Sequence, residues 1–232
     1  MLFDLRGRGR RRAVQVIYAT LALLMGGGLV LFGIGGATDG GLLNAFDNQG
    51  ASVNELGLEQ VRKAEKKVRA DRENAQAWAE LARARVSRAA TVGLDRTQGK
   101  YTEKGLAELA EADRAWQKAL ALTDKPDPNV ATLMVQAYGQ GGLNQPKDAV
   151  RAFEIALADR DKPTAEQYAQ YAVLAYQASQ IAKGDKAAAR AVELTDKPKR
   201  RRLEKQLEQY KTQIITQQAQ EAQKSTSTTI QP

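Results

Sequence analysis

The sequence predicts an all-α protein that begins with a single transmembrane helix, continues as a solenoid of helical hairpins and ends with a capping helix. Three observations predict this fold class. Residues 13–38 contain no charged side chain. From about residue 55, apolar residues recur at steps of three and four, which is typical of amphipathic helices. An eight-residue motif then returns at spacings of 37 and 35 residues, which indicates stacked helical hairpins.

The N-terminal 38 residues predict a membrane anchor. Residues 1–12 form a basic segment, and the uncharged residues 13–38 are long enough to cross a bilayer as a helix. Positive charge before the span and none for more than 20 residues after it predict a cytoplasmic N-terminus and an extracytoplasmic C-terminal domain at the cell (inner) membrane. A cleavable signal peptide is the alternative, but its apolar region is usually shorter. The predicted topology determinants are Arg6, Arg8, Arg10, Arg11 and Arg12.

Residues 39–54 mix Gly, Asn, Asp and Ser with a few apolar residues, which predicts a linker. A first helix follows, because Leu58, Val61, Ala64 and Val68 fall on one helical face. The region 55–198 is the predicted repeat array, with three repeats after this N-terminal helix.

The repeated motif reads ALALTDKP at 119–126, ALADRDKP at 156–163 and AVELTDKP at 191–198. Each copy is typical of a helix end followed by a proline. Large and small apolar residues precede each copy at regular positions, and we expect them to pack between the helices of a hairpin. They include Trp78, Trp116 and Phe153, which we assign to the core rather than to a ligand-binding aromatic box.

These positions resemble the tetratricopeptide repeat, whose first helix reads W-x2-L-G-x2-Y and whose second reads A-x3-F-x2-A before a proline. The resemblance covers residues 55–198 and is of the membrane-anchored bacterial type. The chain departs from the family at Arg85, where a Tyr is usual, and at about 18 extra residues around Thr91–Gly105. We also expect the second helix of the third repeat to be short, after Gly184.

The resemblance implies a groove, lined by the first helix of each repeat, that binds protein or peptide partners. We therefore expect a single-pass scaffold for protein–protein interactions that assists secretion or envelope protein assembly. The alternative is a structural homo-oligomer that organises the membrane without a transient client. The groove positions that the resemblance implies are Gln76, Ala79, Arg83, Asn129, Thr132, Gln136, Gln140, Glu166, Val173 and Tyr176.

The C-terminal segment predicts a capping helix at 199–224 and a disordered tail at 225–232, because Leu203, Leu207, Tyr210 and Ile214 form one apolar stripe. A dense group of cations, here called the basic block, opens this segment. Anionic lipid, an acidic partner and nucleic acid are possible ligands, and a merely solvated face is the simplest alternative. The basic block comprises Lys197, Lys199, Arg200, Arg201, Arg202 and Lys205.

The composition argues against an enzyme and against an extended nucleic-acid surface. The 232 residues include no Cys and no His, which removes thiol nucleophiles, imidazole bases and the usual zinc ligands. We therefore expect no catalysis, cofactor or metal. The net charge of +8 is concentrated in residues 1–12 and the basic block, so nucleic-acid binding is not favoured. The carboxylate pairs Glu108/Glu111 and Asp159/Asp161 are expected on solvated segments.

Overall fold

A computed structural model describes residues 50–228, with side chains placed for residues 54–220. The described region is helical, apart from one short β-hairpin, which confirms the predicted all-α class. The predicted basic N-terminus 1–12, the predicted span 13–38 and most of the predicted linker 39–54 lie outside the described residues. None of the helices from residue 50 to residue 228 is long and apolar enough to cross a membrane.

Eight helices and two strands make up the part of the chain that the structure describes. They are α1 (Gly50–Ala70), α2 (Ala75–Gly93), β1 (Leu94–Asp95), β2 (Lys100–Tyr101), α3 (Glu103–Leu122), α4 (Pro128–Ala137), α5 (Pro146–Ala158), α6 (Ala165–Gln177), α7 (Ile181–Leu194) and α8 (Lys197–Thr228). By contacts, the chain divides into two compact units at residues 162 and 163.

The first unit is a series of packed helix pairs. Helix α2 packs against α1, α3 and α4, and α4 packs against α5. Its core contains the large side chains that the repeat pattern predicts to be internal, among them Trp116, Met134, Tyr138 and Phe153. Alanines at the helix crossings, such as Ala82 and Ala112, are fully buried and let the backbones approach. The assignment of Trp116 and Phe153 to the core is thereby confirmed, whereas Trp78 is only half-buried and its indole N–H donates to the Arg72 carbonyl at 2.8 Å.

A β-hairpin occupies the predicted insertion between α2 and α3. Strand β1 pairs antiparallel with β2, in the register Leu94 with Tyr101. The amide of Tyr101 donates to the carbonyl of Gly141 at 2.8 Å, which joins the hairpin to the loop between α4 and α5. The extra residues therefore connect the hairpin between α2 and α3 to the α4–α5 loop, and α2 and α3 still pack as a pair.

The second unit contains α6, α7 and α8. Helices α6 and α7 pack together, and α8 packs on both. Its core cluster joins Ala169, Val173 and Tyr176 of α6 to the apolar stripe of α8. The stripe residues Leu207, Tyr210 and Ile214 are buried, as their spacing predicts.

Three boundaries differ from those the sequence predicts. Gly184 lies inside α7, which is as long as α6, so the expected short helix is not found. A Cβ at position 184 would overlap the ring of Tyr176, so the glycine reflects this close contact and not a helix end. The helix-forming residues past 210 let α8 run to Thr228, into the predicted tail at 225–232. Helix α1 begins at Gly50, so residues 50–54 of the predicted linker are helical.

Candidate partner-binding surface

Helix α2 presents a narrow polar face between its neighbours. Packing against three other helices buries Ala77, Leu81 and Ala84 and leaves Gln76 and Arg83 exposed. The half-buried residues Glu80 and Ser87 lie on the same face, at steps of four, three and four. Sequence reasoning missed these two residues, although their spacing from Gln76 and Arg83 could have identified them.

Helix α4 presents a matching face. Asp127 caps its first turn by accepting from the amides of Asn129 and Val130 at 2.8 and 3.3 Å. Asn129 and Gln136 are exposed along this helix, and Gln140 is exposed in the loop that follows. The half-buried residues on this side are Thr132, whose hydroxyl donates to the Pro128 carbonyl, and Leu133, which sequence reasoning missed.

An ion pair connects the two faces. The Arg83 guanidinium lies 3.4 Å from the Asp127 carboxylate, across the contact between α2 and α4. The arginine side chain is 47% exposed and the aspartate 16% exposed, so this pair lies at the surface of the helix contact. We use the name polar stripe for the exposed residues of both helices together with Gln140 in the loop after α4. Its members are Gln76, Arg83, Asn129, Gln136 and Gln140.

Three predicted groove residues are buried, and the prediction that they contact a partner is wrong. Ala79 lies in the core of the first unit because α2 is covered on several sides. Val173 and Tyr176 belong to the cluster that contains the α8 stripe. The Tyr176 hydroxyl donates to Asp185 at 3.0 Å, and its pKa is raised by burial and by that carboxylate. Helix α8 therefore covers the face of α6 that corresponds, within its helix pair, to the exposed faces of α2 and α4.

A charged cluster underlies the contacts of α2 with α1 and α3. Arg85 donates to Glu65 of α1 at 2.6 Å and to Glu108 of α3 at 2.8 Å, and Arg88 donates to Glu108 at 2.7 Å. Arg85 thus forms an ion pair with each of the two helices beside α2. We expect it to hold three helices in register.

Glu108 is not on a solvated segment, so that expectation is wrong. Its side chain is only 15% exposed. Burial alone would raise the pKa of this carboxyl, but the hydrogen bonds and charges of Arg85 and Arg88 outweigh it and hold the pKa below its usual value. A carboxylate that stays ionised and doubly paired has a structural role and is poorly suited to act as a general acid.

A shallow cleft in the second unit brings together two residues from different predicted sets. Glu166, predicted for the groove, and Lys199, of the basic block, both line a space of about 310 Å³ between the start of α6 and the α7–α8 junction. The side chain of Leu194, partly exposed, lines the same cleft. The cleft is open and is lined by both acidic and basic side chains, so its charge does not favour one class of ligand.

The residues of the basic block differ in the contacts they make. The Arg200 guanidinium donates to the carbonyls of Glu193 and Thr195 at 2.7 and 2.8 Å, which satisfies acceptors at the end of α7. Lys199 pairs with Asp196 at 3.0 Å in an exposed contact. The remaining four cations are exposed: Lys197, Arg201, Arg202 and Lys205.

The described residues offer surfaces for macromolecular contact, and their acidic side chains form no group that could hold a metal ion. No protein-family model, no curated protein and no solved structure matches this chain. The polar stripe and the basic block are therefore the two surfaces on which a function can be argued.

Proposed function

We propose that this chain is a single-pass membrane scaffold whose tetratricopeptide-like hairpins bind protein partners at the extracytoplasmic face. The uncharged residues 13–38 would serve as its anchor, and the preceding arginines would keep the N-terminus in the cytoplasm. In this role the protein recruits or chaperones clients during secretion or envelope assembly. It has no catalytic centre of its own.

The packing within each unit supports the tetratricopeptide assignment. Consecutive helices pair as α2 with α3, α4 with α5, and α6 with α7, and the first helices of the first two pairs also pack together. Both turns that follow α4 and α6 contain a residue in the left-handed region, Asn144 and Ser179, with a Gln next in sequence. The loops differ in length, at residues 138–145 and 178–180, but the left-handed residue stands two positions before the second helix in both, which favours a repeated structural unit.

The polar stripe is the observation on which the partner-binding proposal depends most. Gln76, Arg83, Asn129 and Gln136 are exposed on two helices that are otherwise largely buried. Amide side chains donate and accept hydrogen bonds, so a row of them suits recognition of a peptide backbone and polar side chains. Half-buried Leu133 offers an apolar contact beside them.

The distribution of exposed apolar residues favours a transient partner over a permanent homo-oligomer. Among the described side chains, the large exposed apolar residues are Leu56, Leu194 and Ile215, one on each of three helices. Obligate homodimers commonly bury 2,000 Å² or more of largely apolar surface. Isolated side chains do not provide such an interface.

Site-directed photo-crosslinking in intact membranes tests this proposal. Because the chain contains no Cys, a single Gln136→Cys substitution can carry a photoreactive maleimide. The matched control is Lys118→Cys, which is exposed on α3, away from the polar stripe. We expect a discrete protein adduct from position 136 that is absent at position 118 and that weakens when Arg83 is also replaced by Ala.

Identical adducts from both positions, or none from either, would contradict the proposal. An adduct that consists only of a second copy of the chain would support the homo-oligomer instead. Protease digestion of sealed vesicles tests the topology separately, because the proposal requires residues 50–228 to lie on the extracytoplasmic side.

A further inference from the structure

Four cations at the start of α8 are unpaired within the part of the chain that the structure describes. Two members of the basic block are occupied, since Arg200 binds backbone carbonyls at the end of α7 and Lys199 pairs with Asp196. The other four make no hydrogen bond or ion pair with any described residue. We call them the outer basic face: Lys197, Arg201, Arg202 and Lys205.

The outer basic face points away from the core. Leu207, Tyr210 and Ile214 define the side of α8 that is buried. With 3.6 residues per turn, Arg201 and Lys205 lie on the opposite side of the helix. The cations therefore form one solvent-facing patch over the first turns of α8.

This arrangement is electrostatically unfavourable for the isolated protein. The N-terminal end of a helix carries partial positive charge, so cations there oppose the macrodipole. Lys197, Arg201 and Lys205 also follow one another at four-residue steps, where like charges repel. An anion bound at this face would relieve both effects.

We propose that the outer basic face docks onto anionic phospholipid headgroups of the membrane in which the same chain is anchored. This inference rests on the proposed function, because the anchor is what brings the ligand. A tethered domain meets the bilayer surface at a high effective concentration. Basic residues beside an anionic leaflet then add binding energy cation by cation.

The surroundings of the outer basic face favour lipid over a protein partner. Protein interfaces depend on buried aromatic or aliphatic anchors at their centre. The exposed positions that continue this side of α8 include Glu208, Gln209, Thr212 and Thr216, none of which is apolar. Ile215, the large exposed apolar residue on the described part of α8, lies about 15 Å beyond Lys205 along the helix.

Nucleic acid is also disfavoured. Single strands are bound by combining cations with exposed aromatic side chains on which the bases stack. Tyr210 is the aromatic residue of α8, and it is buried. A layer of headgroup phosphates requires only the positive charge.

Fluorescence quenching on the reconstituted full chain tests the proposal. A Gln209→Cys substitution places the only Cys of the chain on the exposed side of α8, four residues after Lys205. A membrane-impermeant fluorescent maleimide then labels only the copies that face outward. The vesicles contain either pure phosphatidylcholine or a 70:30 mixture with phosphatidylglycerol, each with the same fraction of a headgroup-attached quencher.

The test compares two variants with equal loss of charge. The docking variant carries K197Q, R201Q, R202Q and K205Q. The control carries K118Q, K125Q, K147Q and R151Q, which neutralise four exposed cations of the first unit. All eight side chains are exposed and have no ion pair within the described region, so we expect both variants to fold, as circular dichroism can verify.

We expect strong quenching only in the vesicles that contain phosphatidylglycerol, reduced by high salt. Each cation contributes roughly fivefold to such an equilibrium, so the docking variant should weaken it by about two to three orders of magnitude and the control should not. Equal quenching in both lipid mixtures, or equal loss in both variants, would overturn the inference. A protein adduct at position 209 in cells, without lipid-dependent quenching, would also overturn it.

The membrane anchor is checked on the same vesicles. If the chain stays with the vesicles in alkaline carbonate but shows no lipid-dependent quenching, only this inference fails. If the chain is extracted by carbonate, the anchor in the proposed function fails as well.

Discussion

The helices at the two ends of the described region, α1 and α8, are attached by different amounts of apolar contact. Among its described side chains, helix α1 buries three small ones, Val61, Ala64 and Val68. Helix α8 buries the larger Leu207, Tyr210 and Ile214. Since the free energy of burial scales with apolar area, α8 gains more from packing on its unit than α1 gains on the other.

The polar contacts of these helices differ in kind as well. Helix α1 is joined to α2 by charges, through Glu65 with Arg85 and Lys67 with Glu80. Helix α8 is joined to α6 mainly by uncharged groups, because Gln177 donates to the Tyr210 hydroxyl at 2.6 Å and Gln218 donates to the Gln177 carbonyl at 3.1 Å.

This difference predicts how each end of the molecule opens. Ion pairs weaken with added salt and with protonation of their carboxylates, whereas apolar burial and neutral hydrogen bonds do not. We therefore expect α1 to detach first at high salt, and α8 to stay in place. Local opening measured by amide hydrogen exchange can separate the two helices, because each reports its own free energy.

The largest effect is expected from Tyr210→Ala. This change removes a buried aromatic ring from the core of the second unit together with the hydrogen bond from Gln177. We expect it to lower the opening free energy of α8 by about 3–5 kcal/mol. Hydrogen exchange of α8 amides measures the loss, and the amides of α1 serve as an internal reference.

Tyr210→Phe is the matched control, since it keeps the ring and removes only the hydroxyl. Its expected cost is about 1 kcal/mol, the usual net value of one hydrogen bond. If the Phe variant were as damaging as the Ala variant, neutral hydrogen bonds rather than packing would hold α8, and the comparison would have to be revised.

The next largest effect is expected from Arg85→Ala. The substitution removes the nearer of the two partners of Glu65, which also lies 3.6 Å from Arg69, and one of the two partners of Glu108. Breaking a fully buried pair costs more, but the Arg85 side chain is 20% exposed, so we expect α1 to lose about 2 kcal/mol of opening free energy. Arg62→Ala, on the exposed side of α1, should leave exchange nearly unchanged.

The sequence predicts the helices because their pattern is local. Steps of three and four residues identify the inward face of each helix, and Ala82, Trp116 and Leu207 are buried accordingly. The repeated motif similarly locates the helix ends. What the pattern does not contain is the identity of the group opposite each inward residue.

Two site residues show this limit. Arg85 reads as a departure from the repeat, and its partners Glu65 and Glu108 are 20 and 23 residues away, beyond the reach of helical periodicity. Val173 occupies a position equivalent to a groove residue, but α8 folds back over it. A position carried over from a repeat family assumes that the same neighbours surround every repeat, and α8 breaks that equivalence.

Acid should loosen the contact of α3 with α2 through Glu108. Its pKa in the folded protein is held below the ordinary value of 4.5 by Arg85 and Arg88, despite burial, which acts in the opposite direction. The stability that this group contributes is fully present above pH 4.5 and is lost as the pH falls through the lower folded pKa. Hydrogen exchange of α3 against pH should therefore show faster opening below about pH 4.5.

Glu108→Gln supplies the control for this prediction. It should flatten the pH dependence of α3 opening, because the amide no longer titrates. The pKa of Asp185 is also lowered, by the hydrogen bond from Lys211, but its side chain is 47% exposed, so we expect less acid sensitivity in α8. Equal acid sensitivity of α3 and α8 would contradict the difference in burial between the Glu108 and Asp185 ion pairs.

The smallest effect on stability is expected from Arg83→Ala. This variant can therefore test partner binding without destabilising the fold. The pair of Arg83 with Asp127 is half exposed on the arginine side, so its loss should cost about 0.5 kcal/mol or less. Asp127 keeps its role as the cap of α4, because its hydrogen bonds to the amides of Asn129 and Val130 do not involve Arg83. Urea denaturation of the full chain should place this variant close to the parent, whereas Asp127→Ala should cost about 1 kcal/mol through the lost cap.

A change that barely alters stability and yet weakens crosslinking from position 136 would locate partner recognition on the polar stripe. A large stability loss would instead assign Arg83 to the scaffold.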